Sequence, residues 1–247
     1  MLFAVADALE ALSCVLLYGK SFSGGAFRAG LRGYRGLLAE AGPQLGTVLF
    51  AALLARFDWL LLAARCPAAV VAEYSFAYKA FELAQLPLLV IAPLLVPRFT
   101  RLLQSGSGLT ELRGLLRTEL GLALLTVLLL NACWTPLADW VSGGKYGASC
   151  RSAVWLLSLA LPVLYYNNYL WSLHFAAGRT GFIFRIFAVT FAVNAGANLL
   201  LIPSLQKEGA AIAFGLSLLV QTVFYHVYAQ PEWRGRLLRR REATRTA

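Results

Sequence analysis

Seven apolar segments recur along this chain, at about residues 1–18, 43–64, 76–97, 118–137, 153–177, 182–203 and 209–229. Each is roughly 18–25 residues long, and a helix needs about 20 to cross the hydrocarbon layer of a bilayer. Backbone N–H and C=O groups cannot go unpaired in lipid, so such segments cross as helices or as strands of a closed barrel. Barrel strands read as alternating stretches of about ten residues, and that alternation is missing from the sequence. Composition points the same way. Of the 247 residues, 59% are hydrophobic and 14% charged, against about 25% charged in a soluble domain. The sequence therefore predicts an all-α, polytopic membrane helix bundle of about seven transmembrane helices.

The formal charge of +10 would suggest nucleic acid in a soluble protein, but its distribution here marks topology. The stretches 19–42, 98–117, 178–185 and 230–247 hold sixteen of the 22 lysines and arginines, and the alternate loops 65–79, 138–152 and 204–208 hold five. Arg56 alone falls in neither set. Cytoplasmic loops carry the excess of basic residues, which sets the C-terminus in the cytoplasm and the N-terminus outside. No nucleic-acid partner is expected; membrane lipids are. Met1 leads straight into apolar residues with neither a basic n-region nor a cleavage site, so a cleaved signal peptide is not expected. Seven spans from an external start read as the rear part of a larger protein.

The second and third segments carry the charges. Arg56 and Asp58 interrupt one, and Lys79, Glu82 and Gln85 the other. Ten Leu, Val and Phe residues in 43–64 contribute about −0.3 to −0.6 kcal/mol each to insertion, while Arg and Asp cost about 2.5–3.5 each. The sums roughly cancel, so this segment needs partners or a watered cavity. Ionisable groups at such depth mark pathways and binding sites. At 1.5 Å per residue, Asp58 lies roughly 9 Å and Arg56 roughly 12 Å below the outer end of the span, with Lys79 at roughly 5 Å and Glu82 at roughly 9 Å on the next. The depths permit Arg56–Glu82 and Asp58–Lys79 pairs, placed either for ion coupling or for packing alone.

Residues 19–42 space Phe27, Leu31, Tyr34 and Leu38 at helical intervals beside Arg28, Arg32 and Arg35, which predicts an amphipathic helix in the inner headgroup layer. Tyr74, Tyr78, Glu82 and Gln85 share a face of the third segment, ahead of Pro87, Pro93 and Pro97. Asn167, Trp171 and His174 share a face of the fifth, a stripe suited either to sugars or to bonds between helices. Arg179 and Arg185 stand at the inner end of the sixth. Cys66 and Cys150 fall in external loops, where a disulfide is open to them. There is no C-x-x-C and no metal-ligand spacing, so neither cofactor nor metal is expected.

Taken together, these residues resemble the C-terminal half of polysaccharide-biosynthesis (O-antigen type) flippases of the multidrug/oligosaccharidyl-lipid/polysaccharide exporter superfamily, whose fold is MATE-like. Arg56-Phe57-Asp58 resembles that family's R-x-D. Glu73-Tyr74-Ser75-Phe76-Ala77-Tyr78 resembles its G-x-Y-x-x-A-Y hinge, with Ala72 and Glu73 where glycine is usual. Gly143-Gly144-Lys145-Tyr146 resembles the F-G-x-x-Y loop, and Asn198 through Pro203 followed by Gly209-Ala210-Ala211-Ile212-Ala213 resembles the N-x-x-L-I-P segment and its sequel.

The resemblance implies a last helix of a first lobe at 1–18, a cytoplasmic linker at 19–42, a six-helix second lobe at 43–229 and a basic cytoplasmic tail at 230–247. It further implies movement of an undecaprenyl-pyrophosphate-linked oligosaccharide across the plasma membrane by alternating access, with no bond made or broken. The expected substrate contacts are Arg56, Tyr78, Asn167, Trp171, Arg179 and Arg185. Asp58, Lys79 and Glu82 are expected in ion coupling or charge pairing. A partner lobe of five helices is implied, without which the chain is expected not to transport. A MATE-like multidrug or cation exporter and an inactive truncated membrane fragment are the alternatives. A membrane-embedded enzyme would need a base or metal cluster, and the two histidines, His174 and His226, have no acidic neighbour in sequence.

Overall fold

A computed structural model describes residue 13 and residues 31–105 and 109–243. The expected first span, residues 19–30 of the expected linker and the last four residues of the tail therefore lie outside the described residues, Ser13 excepted. The chain divides into two compact units, residues 1–43 and 44–247. Of the first, the part described from residue 31 onward is helical.

Among the described residues from 31 onward, seven helices follow one another: α1 Leu31–Leu54, α2 Phe57–Arg65, α3 Ala68–Ala84, α4 Leu86–Ser105, α5 Leu109–Ser142, α6 Arg151–Ala176 and α7 Thr180–Ala243. No strand occurs among the described residues. Among the described residues, four stretches are long and apolar enough to cross a membrane by length and composition: Ala41–Arg65, Leu86–Gln104, Thr110–Ser142 and Thr180–Tyr228. Large apolar side chains lie on the outside, among them Leu200 at 78% exposure and Val90 at 70%. With four such stretches among the described residues, the chain is a candidate multi-pass membrane protein.

The segments expected from sequence map onto these helices with four differences, the first being that 43–64 is interrupted at Ala55–Arg56 between α1 and α2. The segment at 76–97 is split by a break at Gln85, so that its first part belongs to α3, whose 17 residues include Glu73, Lys79 and Glu82. The segment at 153–177 is α6, whose Tyr and Asn residues dilute its apolarity. The last two segments are the limbs of α7, which folds back at Gln206 (φ 48°, ψ −122°). Asn194 reaches Ser217 across that hairpin at 3.3 Å.

The core forms around α6, which packs against α3, α4, α5 and α7. Leu157, Leu161 and Tyr165 of α6 are fully buried and meet Tyr74, Ala77 and Phe81 of α3 and Ile202, Ala210 and Leu218 of α7 in one cluster. Phe50 lies 5.8 Å from Phe184, and Phe57 lies 5.5 Å from Phe191, which ties α1 and α2 to the first limb of α7. The contacts fix directions. Asn131 meets Ser158 and Tyr169 meets Leu112, so α5 and α6 are antiparallel. Tyr165 meets Ala84 and the thiol of Cys150 meets the carbonyl of Glu73, so α3 and α6 run the same way.

Those directions bring three turns to one end of the bundle. Lys207, just past the α7 reversal, pairs with the carboxylate of Glu73 and donates to the carbonyl of Ser149 at 2.7 Å. These turns belong to the three loops that the charge count puts on one side. The glycine loop between α5 and α6 is pinned there: Gly143 and Gly144 take positive φ (63° and 83°), Trp134 Nε1 donates to the carbonyl of Gly147 at 2.9 Å, and Tyr146 packs on Phe76 at 4.9 Å. Cys66 and Cys150 are free thiols, so the disulfide left open by the sequence is not formed.

Gly209 sets how closely the limbs of α7 approach. A Cβ added there would meet the carbonyl oxygen of Leu201 at 2.5 Å, a backbone atom that cannot swing aside. Gly196, on the same helix, has nothing within 4 Å of such an atom. Helix propensity alone makes glycine-to-alanine stabilising by about 1 kcal/mol. Gly196→Ala should therefore raise the melting temperature of the detergent-solubilised chain. Gly209→Ala should lower it, at an overpacking cost of about 1–3 kcal/mol.

Candidate functional site

Two breaks in helices build the site. The apolar run of α1 and α2 is interrupted at Arg56, whose backbone (φ −133°, ψ −12°) leaves the helical region and whose N–H turns to the carbonyl of Leu53 at 3.1 Å. The break opens a new helix N-terminus inside the run, with unpaired N–H groups and the positive end of the helix dipole. Asp58 stands in that first turn and accepts the backbone N–H of Trp59 at 2.8 Å. The second break is at Gln85, where the N–H turns back to the carbonyl of Glu82 at 3.1 Å. Its cause is Pro87, which has no N–H for the carbonyl four residues earlier and whose ring crowds it.

The breaks face each other through charge. Arg56 donates to one oxygen of Glu82 at 3.2 Å, and Lys79 donates to the other at 2.5 Å. Arg56 also lies over the ring of Trp59, 5.1 Å from its centroid. The side chains are open, at 51% exposure for Arg56, 61% for Lys79 and 32% for Glu82. Two exposed cations thus share one carboxylate, with the carboxyl group of Asp58 buried behind them. That arrangement suits an anion.

Asp58 lies behind this cluster and is buried. Its other oxygen accepts from the Tyr74 hydroxyl, so the Asp58–Lys79 pair permitted by depth is replaced by a neutral donor buried in the core. A phenol has no charge to desolvate, which favours it over an ammonium in an apolar setting. The face shared by Tyr74 and Glu82 was readable in the sequence; that its upper residue would take Asp58 was not.

The remaining expected contacts are scattered. Tyr78 is buried among Trp59, Tyr74 and Phe81, with ring centroids 5.6–5.8 Å away. Asn167 is buried between α6 and α7, donating to the carbonyl of Leu218 at 2.9 Å and to Gln221 at 3.1 Å, and accepting from Thr222 at 2.7 Å. Of the two uses the sequence left open for that stripe, this is the bond between helices. Trp171 stacks on Phe175 at 5.1 Å. Arg179 lies 4.6 Å from the ring of Phe182 and 3.4 Å from Nδ1 of His174, and Arg185 is exposed and donates to the carbonyl of Gly181. His174 stacks on Tyr225, with ring planes 8° apart. Among the described residues, no group of three His, Cys, Asp or Glu is placed to hold a metal ion.

Two polar residues that the sequence reading passed over are Lys207, with its clasp on Glu73, and Glu119, a buried acid on α5. Glu119 had a signal: it is the one acidic residue inside the segment 118–137.

Removing the Tyr74 hydroxyl leaves Asp58 with backbone donors only, the Trp59 N–H among them. A hydrogen bond to a charged group is worth about 1.5–3 kcal/mol. Tyr74→Phe should lower stability by about that much in thermal or denaturant unfolding. In the background of Asp58→Asn the same change should cost less, which a double-mutant cycle reads directly.

No family model matches this chain, and neither a curated protein nor a solved structure does.

Proposed function

We propose that this chain is a lobe of a membrane flippase, which moves a lipid-linked oligosaccharide with an undecaprenyl-pyrophosphate anchor across the plasma membrane, its C-terminus on the cytoplasmic side. The observation that carries the reading is the pair of facing helix breaks, with Arg56 and Lys79 converging on Glu82 between them. Secondary transporters build cargo and ion sites from interrupted helices near mid-membrane, where freed backbone ends and polar side chains meet. A pyrophosphate needs cations that are exposed yet held in place, and charge-assisted donors of this kind bind phosphate oxygens well. Sharing Glu82 holds both cations in place while leaving them exposed.

In this reading Arg56 and Lys79 receive the pyrophosphate, and Arg179 and Arg185 supply cations near the inner face. Asp58, buried at the start of α2, fixes the geometry of the break and is a candidate for ion coupling alongside Glu82. No covalent step is involved. A second lobe closes the cavity, and the lipid chain of the cargo stays against the exposed apolar flanks. The motif resemblance supports the same assignment.

The test uses the protein in its native membrane with whatever lobe it assembles with. Arg56→Ala and Asp58→Ala should each deplete surface polysaccharide, while protein abundance in the membrane is checked by immunoblot. Wild-type polysaccharide in both variants would end the roles given to them. In detergent, Arg56→Ala should weaken binding of undecaprenyl pyrophosphate about tenfold or more, the equivalent of losing one charge-assisted contact of about 1.5–3 kcal/mol. Unchanged pyrophosphate binding together with tight binding of organic cations would point to a multidrug exporter instead.

A further inference from the structure

Glu119 stands apart from the site just described. It is 2% exposed, on the side of α5 that packs against α6, and neither of its carboxyl oxygens has a hydrogen-bond partner. The two titratable groups that face it, Tyr165 and Tyr169, are both on α6. Their hydroxyl protons point elsewhere: Tyr165 donates to the carbonyl of Ala84 at 3.4 Å and Tyr169 to that of Leu112 at 3.0 Å. Nor does a cation reach it. On α3, Lys79 is bound to Glu82 and Glu73 to Lys207; on α4, Arg98 is bound to Glu111, and Arg101 is exposed; on α5 itself, Arg113 and Arg117 are exposed.

An ionised carboxylate in such a place has no bond and no counter-charge, and burying one uncompensated is strongly unfavourable. A neutral carboxylic acid meets the same surroundings at far lower cost. We propose that Glu119 is a proton-binding site of the bundle, held as the neutral acid while α5 and α6 are packed and ionised when water reaches it. The step is a simple transfer: water takes the proton from the carboxyl O–H, leaving carboxylate, and the reverse reloads it. Its location gives the site leverage, because Tyr165 is bonded to Ala84 at the edge of the Gln85 break. Parting α5 from α6 enough to wet Glu119 disturbs the helix whose hydroxyl holds that break. The inference stands on this packing and is independent of what cargo the protein carries.

The purified full chain in detergent tests it. In infrared spectra near neutral pH, the wild type should show a protonated-acid carbonyl stretch that shifts in D2O and is missing from Glu119→Gln. A folded chain that holds a proton its unfolded form lacks loses stability as pH rises. The wild-type melting temperature should therefore fall by several degrees between about pH 6 and about pH 9, while Glu119→Gln and Glu119→Leu should melt with little change. At the higher pH both variants should outlast the wild type. A carboxylate band in place of the acid band, or the same pH slope in wild type and in either variant, overturns the proposal. Failure of Glu119→Leu to fold overturns it as well, since an apolar side chain of similar size is a sound substitute for a neutral acid that makes no bonds.

Discussion

The carboxylate of Glu82 accepts from Arg56 at 3.2 Å and from Lys79 at 2.5 Å, and much of the surrounding helix geometry answers to that arrangement. Water is scarce at membrane depth, so a charge there must find its counterpart on another side chain or not exist. Arg56 cannot meet Glu82 from an arbitrary helix surface. The break at Ala55–Arg56 frees its backbone, and the break at Gln85 lies one turn beyond Glu82. Each interruption costs backbone hydrogen bonds, and each recovers some locally: Asp58 takes the N–H of Trp59, and the N–H of Gln85 takes the carbonyl of Glu82.

Much of the architecture was legible before any coordinates, for a plain reason. Long apolar runs have few folded outcomes, and the alternation of basic loops orders them. That three weakly basic loops share a side is echoed by Lys207, which ties Glu73 and Ser149 to the α7 turn at one end of the bundle. Hydropathy could not see how runs divide or join. It treats 76–97 as continuous because Pro87 changes the average little, although one missing N–H ends α3. It separates 182–203 from 209–229, but it is blind to a reversal made by the backbone of the single residue Gln206.

Side-chain partners were legible only where charge and depth left few choices. The Arg56–Glu82 contact follows from matched depth and opposite sign. Asp58 did not follow, because depth matching considered ionic partners and the structure supplies a phenol. Asn167 illustrates a different ambiguity: a polar face on a membrane helix reads alike whether it lines a cavity or bonds a neighbour, and only the carbonyl of Leu218 and the side chains of Gln221 and Thr222 decide it. Glu119 was visible as the one acid within 118–137, but the sequence does not show that it is buried with no bond to its carboxyl oxygens.

The clasp at Lys207 bears on how the bundle can move. α3, α6 and the second limb of α7 run in one direction, and their starting ends meet at a single ammonium. Farther from that ammonium, Tyr165 donates to the carbonyl of Ala84 and Asn167 to that of Leu218, so the same three helices are fastened at a second level. Legs joined at two heights tilt as one frame rather than splay.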